Sequence, residues 1–228
     1  MVLKLTKTIK LLLAALAITP LAFSTKFFYP YIAPKLFFAR GLIQITLFLS
    51  LFLCGYCIFK NQSFIANLFQ KFKERLQRAP RFFLIFGVFF IASQFISALV
   101  AENSYRAFWG TIERGEGLFN LLHFAVLFIL VLFFWEKKEF LAYSRASIVV
   151  GLIVYLYAFF QAFGITEIPF LAFTPEVRPG SFLGNPAFLA AYAFFVMIVA
   201  VYTIYFEKKI QAKIALFWIR LAYGELFI

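Results

Sequence analysis

The sequence predicts an all-α, polytopic transmembrane helix bundle of six complete spans and a partial seventh, with the N-terminus cytoplasmic. Three observations carry that expectation. Hydrophobic residues make up 64% of the 228 positions and charged ones only 14%, where a soluble domain is about 25% charged. Apolar runs of about 18 residues or more recur along the chain, each able to cross about 30 Å of hydrocarbon at 1.5 Å per residue. Finally, fifteen Lys or Arg lie in the N-terminal tail and in segments 59–81, 136–146 and 207–213, six lie in the intervening loops, and Arg220 lies in the last apolar run. Such an asymmetry marks the basic side as cytoplasmic. It also accounts for the net charge of +12 without a nucleic-acid partner, and none is expected.

The elements follow in order. Span one is placed at 11–28, behind Lys4, Lys7 and Lys10, with Pro20 tolerated inside it because neighbouring helices can satisfy the freed carbonyl. Its charged start resembles a signal peptide, but no small-x-small cleavage site follows, so it reads as a retained span. A turn, FYPYIAPK, leads into span two at 36–59, where Arg40 is close enough to the outer interface to snorkel. Span two ends in CGYC, and with no second pair and no accompanying His, Cys54 and Cys57 read as ordinary helix cysteines.

Residues 60–81 form a basic cytoplasmic connector. Phe64, Leu68, Phe72 and Leu76 recur every four residues among Lys71, Lys73, Arg75 and Arg78, a pattern fitting either an interfacial amphipathic helix or a solvated linker. The Asn61-Gln62-Ser63 sequon falls on the same side, where glycosylation is not expected. Spans three (82–101) and four (117–135) flank the outer loop ENSYRAFWGTIERGEG. The inner connector EKKEFLAYSRA precedes span five (147–164), the outer loop ITEIPFLAFTPEVRPGSFLGNP precedes span six (187–206), and EKKIQAK returns inward. The last run, 214–228, rises only about 22 Å, so the chain is expected to be a single transmembrane domain forming the N-terminal part of a longer protein.

Chemistry is expected where polar groups are left in the outer loops. Arg178, Gly180 and Asn185 stand in RPGSFLGNPAFLA, a polar turn running into a helix. Free N–H groups at a helix start beside an arginine suit a phosphate or pyrophosphate, and the bland alternative is that Asn185 and Pro186 only set the turn. Arg106 and Arg114 offer a second basic pair near Gly110, Gly115 and Gly117, although Glu102, Glu113 and Glu116 could neutralise them. His123, the only histidine, reads as a bundle residue bonded to a neighbouring helix. There is no Asp and no Ser-His-Asp arrangement, Walker loop or dinucleotide fingerprint, so neither a metal nor a cofactor is expected.

Two stretches carry a resemblance. NSYRAFWGTIERGEGLFNLL and RPGSFLGNPAFLAAY are similar to the outer-loop segments of the O-antigen ligase and polymerase family of bacterial membrane glycosyltransferases, in order and in placement. The resemblance implies a multi-pass protein of the bacterial cytoplasmic membrane that acts in cell-envelope polysaccharide assembly. A glycan would pass, without a metal, from a polyprenyl-pyrophosphate carrier to a glycan or lipid acceptor, among membrane lipids. Arg178, then Arg114 and Arg106, with Gly180 and Asn185, would hold the pyrophosphate, and the catalytic residues are unknown here and expected beyond Ile228. The competing expectations are a transporter or flippase-like module for a lipid-linked or anionic substrate, and an inactive truncated fragment.

Overall fold

The computed structural model describes residues 1–60, 63–111, 114–164 and 178–207. The sequon positions 61–62, Glu113, Glu167, Glu176, Arg220 and the expected partial seventh span lie outside the described residues. Among the described residues all regular structure is helical: α1 (Val2–Ala15), a 3₁₀ helix (Leu16–Leu21), α2 (Ala33–Phe59), α3 (Phe64–Arg78), α4 (Arg81–Val100), α5 (Ser104–Trp109), α6 (Leu118–Phe134), α7 (Lys137–Ala162), a 3₁₀ turn (Ser181–Leu183) and α8 (Pro186–Glu207). Four of these, α2, α4, α7 and α8, are long and apolar enough to cross a membrane.

The remaining expected spans look different. Span one is not a continuous α-helix: α1 stops at Ala15 and the chain tightens into the 3₁₀ segment that holds Pro20. Proline has no N–H for the carbonyl four residues back and its ring crowds that carbonyl, so the α-ladder cannot continue through it. Span four is α6, whose 17 residues rise about 26 Å, short of the hydrocarbon thickness. The connector before span five is not a loop, because Lys137 already opens α7. No Pro interrupts the run from Lys137 to Ala162, and its Lys, Glu and Ala favour helix.

The chain divides into two compact units. The first gathers Met1–Leu13, Phe27–Tyr29 and Leu36–Glu136, and the second gathers Ala14–Lys26, Pro30–Lys35 and the chain from Lys137 onward. In the first, α3 lies against α6, with Phe72 stacked on Phe133 at 4.2 Å and Phe69 edge-on to the same ring at 5.2 Å. Lys71 pairs with Glu136 at 2.9 Å, and Arg75 donates to the carbonyl of Leu132. Cations at the last carbonyls of α6 complement its dipole and satisfy an acceptor that the helix itself cannot. Neither α3 nor α4 has a buried residue. In the second unit α7 packs on α8 and on both 3₁₀ segments, around Ile148 and Ala200, which are fully buried.

Candidate functional site

The turn at 178–185 is built in the second unit and held from beneath. Gly184 adopts φ +69°, and a Cβ there would meet the Tyr31 ring at 2.2 Å, so both the backbone sign and the space demand glycine. Ser181 is 1% exposed with φ +51°, a conformation rare outside glycine. It persists because both its polar groups are satisfied: the Ser181 hydroxyl donates to the Val154 carbonyl at 2.6 Å, and its N–H donates to Gln161 Oε1 at 2.8 Å. Lys35, from the first turn of α2, donates to the carbonyls of Ala22 and Phe182, each at 2.7 Å, and lies 5.7 Å from the Tyr31 ring centroid. These acceptors are neutral dipoles, so they leave the ammonium charge uncancelled beneath the turn.

Of the residues picked from sequence, Arg178 is exposed at the lip of this turn and Gly180 is buried in it. Asn185 caps α8: its Oδ1 accepts from the Ala187 N–H at 2.8 Å and its carbonyl accepts from Leu189. The expectation of outward N–H donors does not extend to three groups of the turn. The N–H groups of Leu183 and Gly184 bond back to Gly180 and that of Ser181 goes to Gln161, because a turn this tight closes its own hydrogen bonds. Positive charge, more than backbone donors, is what the turn offers. Beside it, α7 and α8 leave an apolar groove of about 380 Å³ lined by Tyr155, Phe159, Pro179, Pro186, Leu189 and Ala193.

The first unit holds the other candidate loop. Asn103 caps α5 by accepting from the Arg106 N–H at 2.9 Å, and Arg106 is exposed. Arg114, also exposed, lies over the Tyr29 ring at 5.2 Å. The glycines here serve both backbone conformation and close approach: Gly110 and Gly115 adopt φ +73° and +58°, and a Cβ on Gly117 would sit 2.3 Å from the Gly110 nitrogen. The Arg40 side chain reaches the same loop. Nε donates to Asn120 Oδ1 at 3.2 Å, Nη2 donates to the Gly115 carbonyl at 3.1 Å, and the guanidinium faces Phe119 at 5.2 Å.

One helical turn further along α6, His123 is buried and bonded to a neighbouring helix, as expected from its sequence. Its Nδ1 lies 2.7 Å from the Phe119 carbonyl and its Nε2 3.0 Å from Gln44 Nε2. Only the Nδ1–H tautomer satisfies both contacts, with Gln44 donating to Nε2. Glu116 lines a different, more polar cavity of about 380 Å³ with Gln94, Ser97 and Asn120.

Lys35, Arg40, Gln161 and Ser181 do not stand out in the sequence as site residues. A signal for the first two was present: a lysine and an arginine five positions apart at the start of an apolar run must each find a partner or reach water.

Among the described residues the fold thus defines an all-helical protein with four membrane-length helices and a cationic turn beside an apolar groove. Compared with family models, curated proteins and solved structures, the chain matches none.

Proposed function

We propose that the chain binds the polyprenyl-pyrophosphate end of a lipid-linked glycan at the turn 178–185 and serves glycan transfer to a glycan or lipid acceptor at the outer face of a bacterial cytoplasmic membrane. The observation that carries this is the pairing, within one unit, of two cations and an apolar groove. Arg178 stands exposed, Lys35 sits beneath the same turn on neutral carbonyls, and the groove opens between Pro179 and Pro186. A diphosphate gains from charge-assisted donors outside bulk water. An isoprenoid tail gains by lying in an apolar cleft of ligand size. As the glycosidic bond breaks, charge grows on the leaving pyrophosphate, and guanidinium and ammonium groups already in place stabilise it there.

The test uses the chain reconstituted in nanodiscs and titrated with geranylgeranyl pyrophosphate. Arg178→Ala should weaken binding by about tenfold to a hundredfold, the range for a hydrogen bond to a charged group, while membrane insertion stays intact. Equal affinity in wild type and variant would remove Arg178 from the site.

A transport function draws on one observation, the Arg40–Asn120 and Gln44–His123 pairs inside helices. Yet the cations beside the apolar groove, Arg178 and Lys35, stand at the turn and at a helix end, whereas transporters gather such groups near the midplane. Substrate movement across proteoliposomes, with no change in glycan linkage, would restore that function.

A further inference from the structure

The connector helix α3 lines neither the 178–185 turn nor its groove, yet its construction is specific. It follows α2 and precedes α4, both of membrane length, so its two ends are tethered to the membrane. Wound at 3.6 residues per turn, Phe64, Ile65, Leu68, Phe69, Phe72 and Leu76 fall in one sector of roughly 140°. Lys71 and Arg78 lie just outside one edge of that sector, Arg75 just inside the same edge, and Lys73 beyond the other. Glu74, the only acid in 60–81, stands opposite its centre.

Two of those cations are spent on α6, Lys71 on Glu136 and Arg75 on the Leu132 carbonyl. Lys73, Arg78 and, at the start of α4, Arg81 remain exposed, and Phe69 is 55% exposed although it touches Phe133.

We propose that α3 is a membrane-surface helix that binds anionic phospholipid headgroups. Lys73, Arg78 and Arg81 take the phosphates, while Phe69 enters the boundary between headgroups and acyl chains. Cations flanking an apolar sector, with the acid turned to water, match the layering of a lipid interface. An acidic protein partner would need neither the exposed ring nor the tethering of both helix ends.

The experiment uses the full chain in zwitterionic detergent, titrated with short-chain phosphatidylglycerol and, separately, short-chain phosphatidylcholine. At low salt the wild type should bind the anionic lipid at least fivefold more tightly, the factor that about 1 kcal/mol for a single cation implies. That preference should vanish in 1 M salt and in the combined variant Lys73→Gln, Arg78→Gln, Arg81→Gln, and it should survive Lys4→Gln, Lys7→Gln. A folded triple variant that keeps the preference overturns the proposal. Should the triple variant misfold by circular dichroism, a wild-type preference untouched by salt overturns it equally. Tighter binding of poly-glutamate than of phosphatidylglycerol would transfer the surface to an acidic protein.

Discussion

At Gly184 and Asn185 the candidate site depends on single residues whose roles can be separated. Gly184→Ala forces a side chain into the left-handed region, worth about 1–2 kcal/mol, and drives a methyl into Tyr31. Thermal unfolding in detergent should show a lowered apparent melting temperature together with loss of pyrophosphate binding. Asn185 sits where a cap and a ligand would look alike in sequence. Because its Oδ1 is already committed to the Ala187 N–H, Asn185→Ser, which keeps a capping oxygen, should preserve stability and binding. Asn185→Ala should cost about 0.5–2 kcal/mol of stability. A serine variant that is stable but no longer binds pyrophosphate would instead make Asn185 a direct ligand. Lys35→Met removes a charge and leaves the Phe182 carbonyl without its donor, so both stability and anion affinity should fall in that variant.

At the scale of the element, α6 is the informative case. Its 17 residues lie at the lower end of membrane-spanning length, and it ends under α3 through the Phe72–Phe133 stack, the Lys71–Glu136 pair and the Arg75 contact to Leu132. Arg75→Met should therefore loosen α3 and the end of α6 together. Amide exchange over Phe64–Arg78 and the last turn of α6 should accelerate while α4 is unchanged, because α4 makes none of those contacts. Exchange that stays protected in both segments would show that the arginine adds nothing to the apolar packing. The four-residue recurrence of Phe64, Leu68, Phe72 and Leu76 was readable in the sequence as either an interfacial helix or a solvated linker. That it packs on α6 was not, since the partner Phe133 lies 61 positions away from Phe72 in a run where almost every residue is apolar.

Across the whole molecule, the balance of exposed apolar surface separates the helices. All of α4 is unburied, which a soluble protein could not sustain and a lipid-facing helix can. Its face bearing Gln94 and Ser97 turns to the cavity with Glu116 and Asn120, where polar groups at membrane depth are tolerated because water can reach them. In a background lacking Cys54 and Cys57, a cysteine at Ser97 should react with a membrane-impermeant maleimide well before one at Val88. Equal rates would mean that the cavity is dry or that α4 does not face lipid.

By itself the sequence determined that the chain is helical and membrane-compatible, since run length and the scarcity of charge depend on nothing but local composition. It also located the two polar loops, because Gly, Pro, Arg and Asn stand out against an apolar background. The tertiary structure alone decided what those loops rest on. Lys35 lies 147 positions from Phe182 and Arg40 lies 80 from Asn120, and no local pattern records that each cation at the start of α2 bonds to a distant loop. Folding also paired three donors of the 178–185 turn, the N–H groups of Ser181, Leu183 and Gly184, with acceptors in the same unit and used Asn185 as a cap. A buried N–H must be satisfied by whatever acceptor lies nearest in space, and that neighbour is set by packing, not by the order of residues.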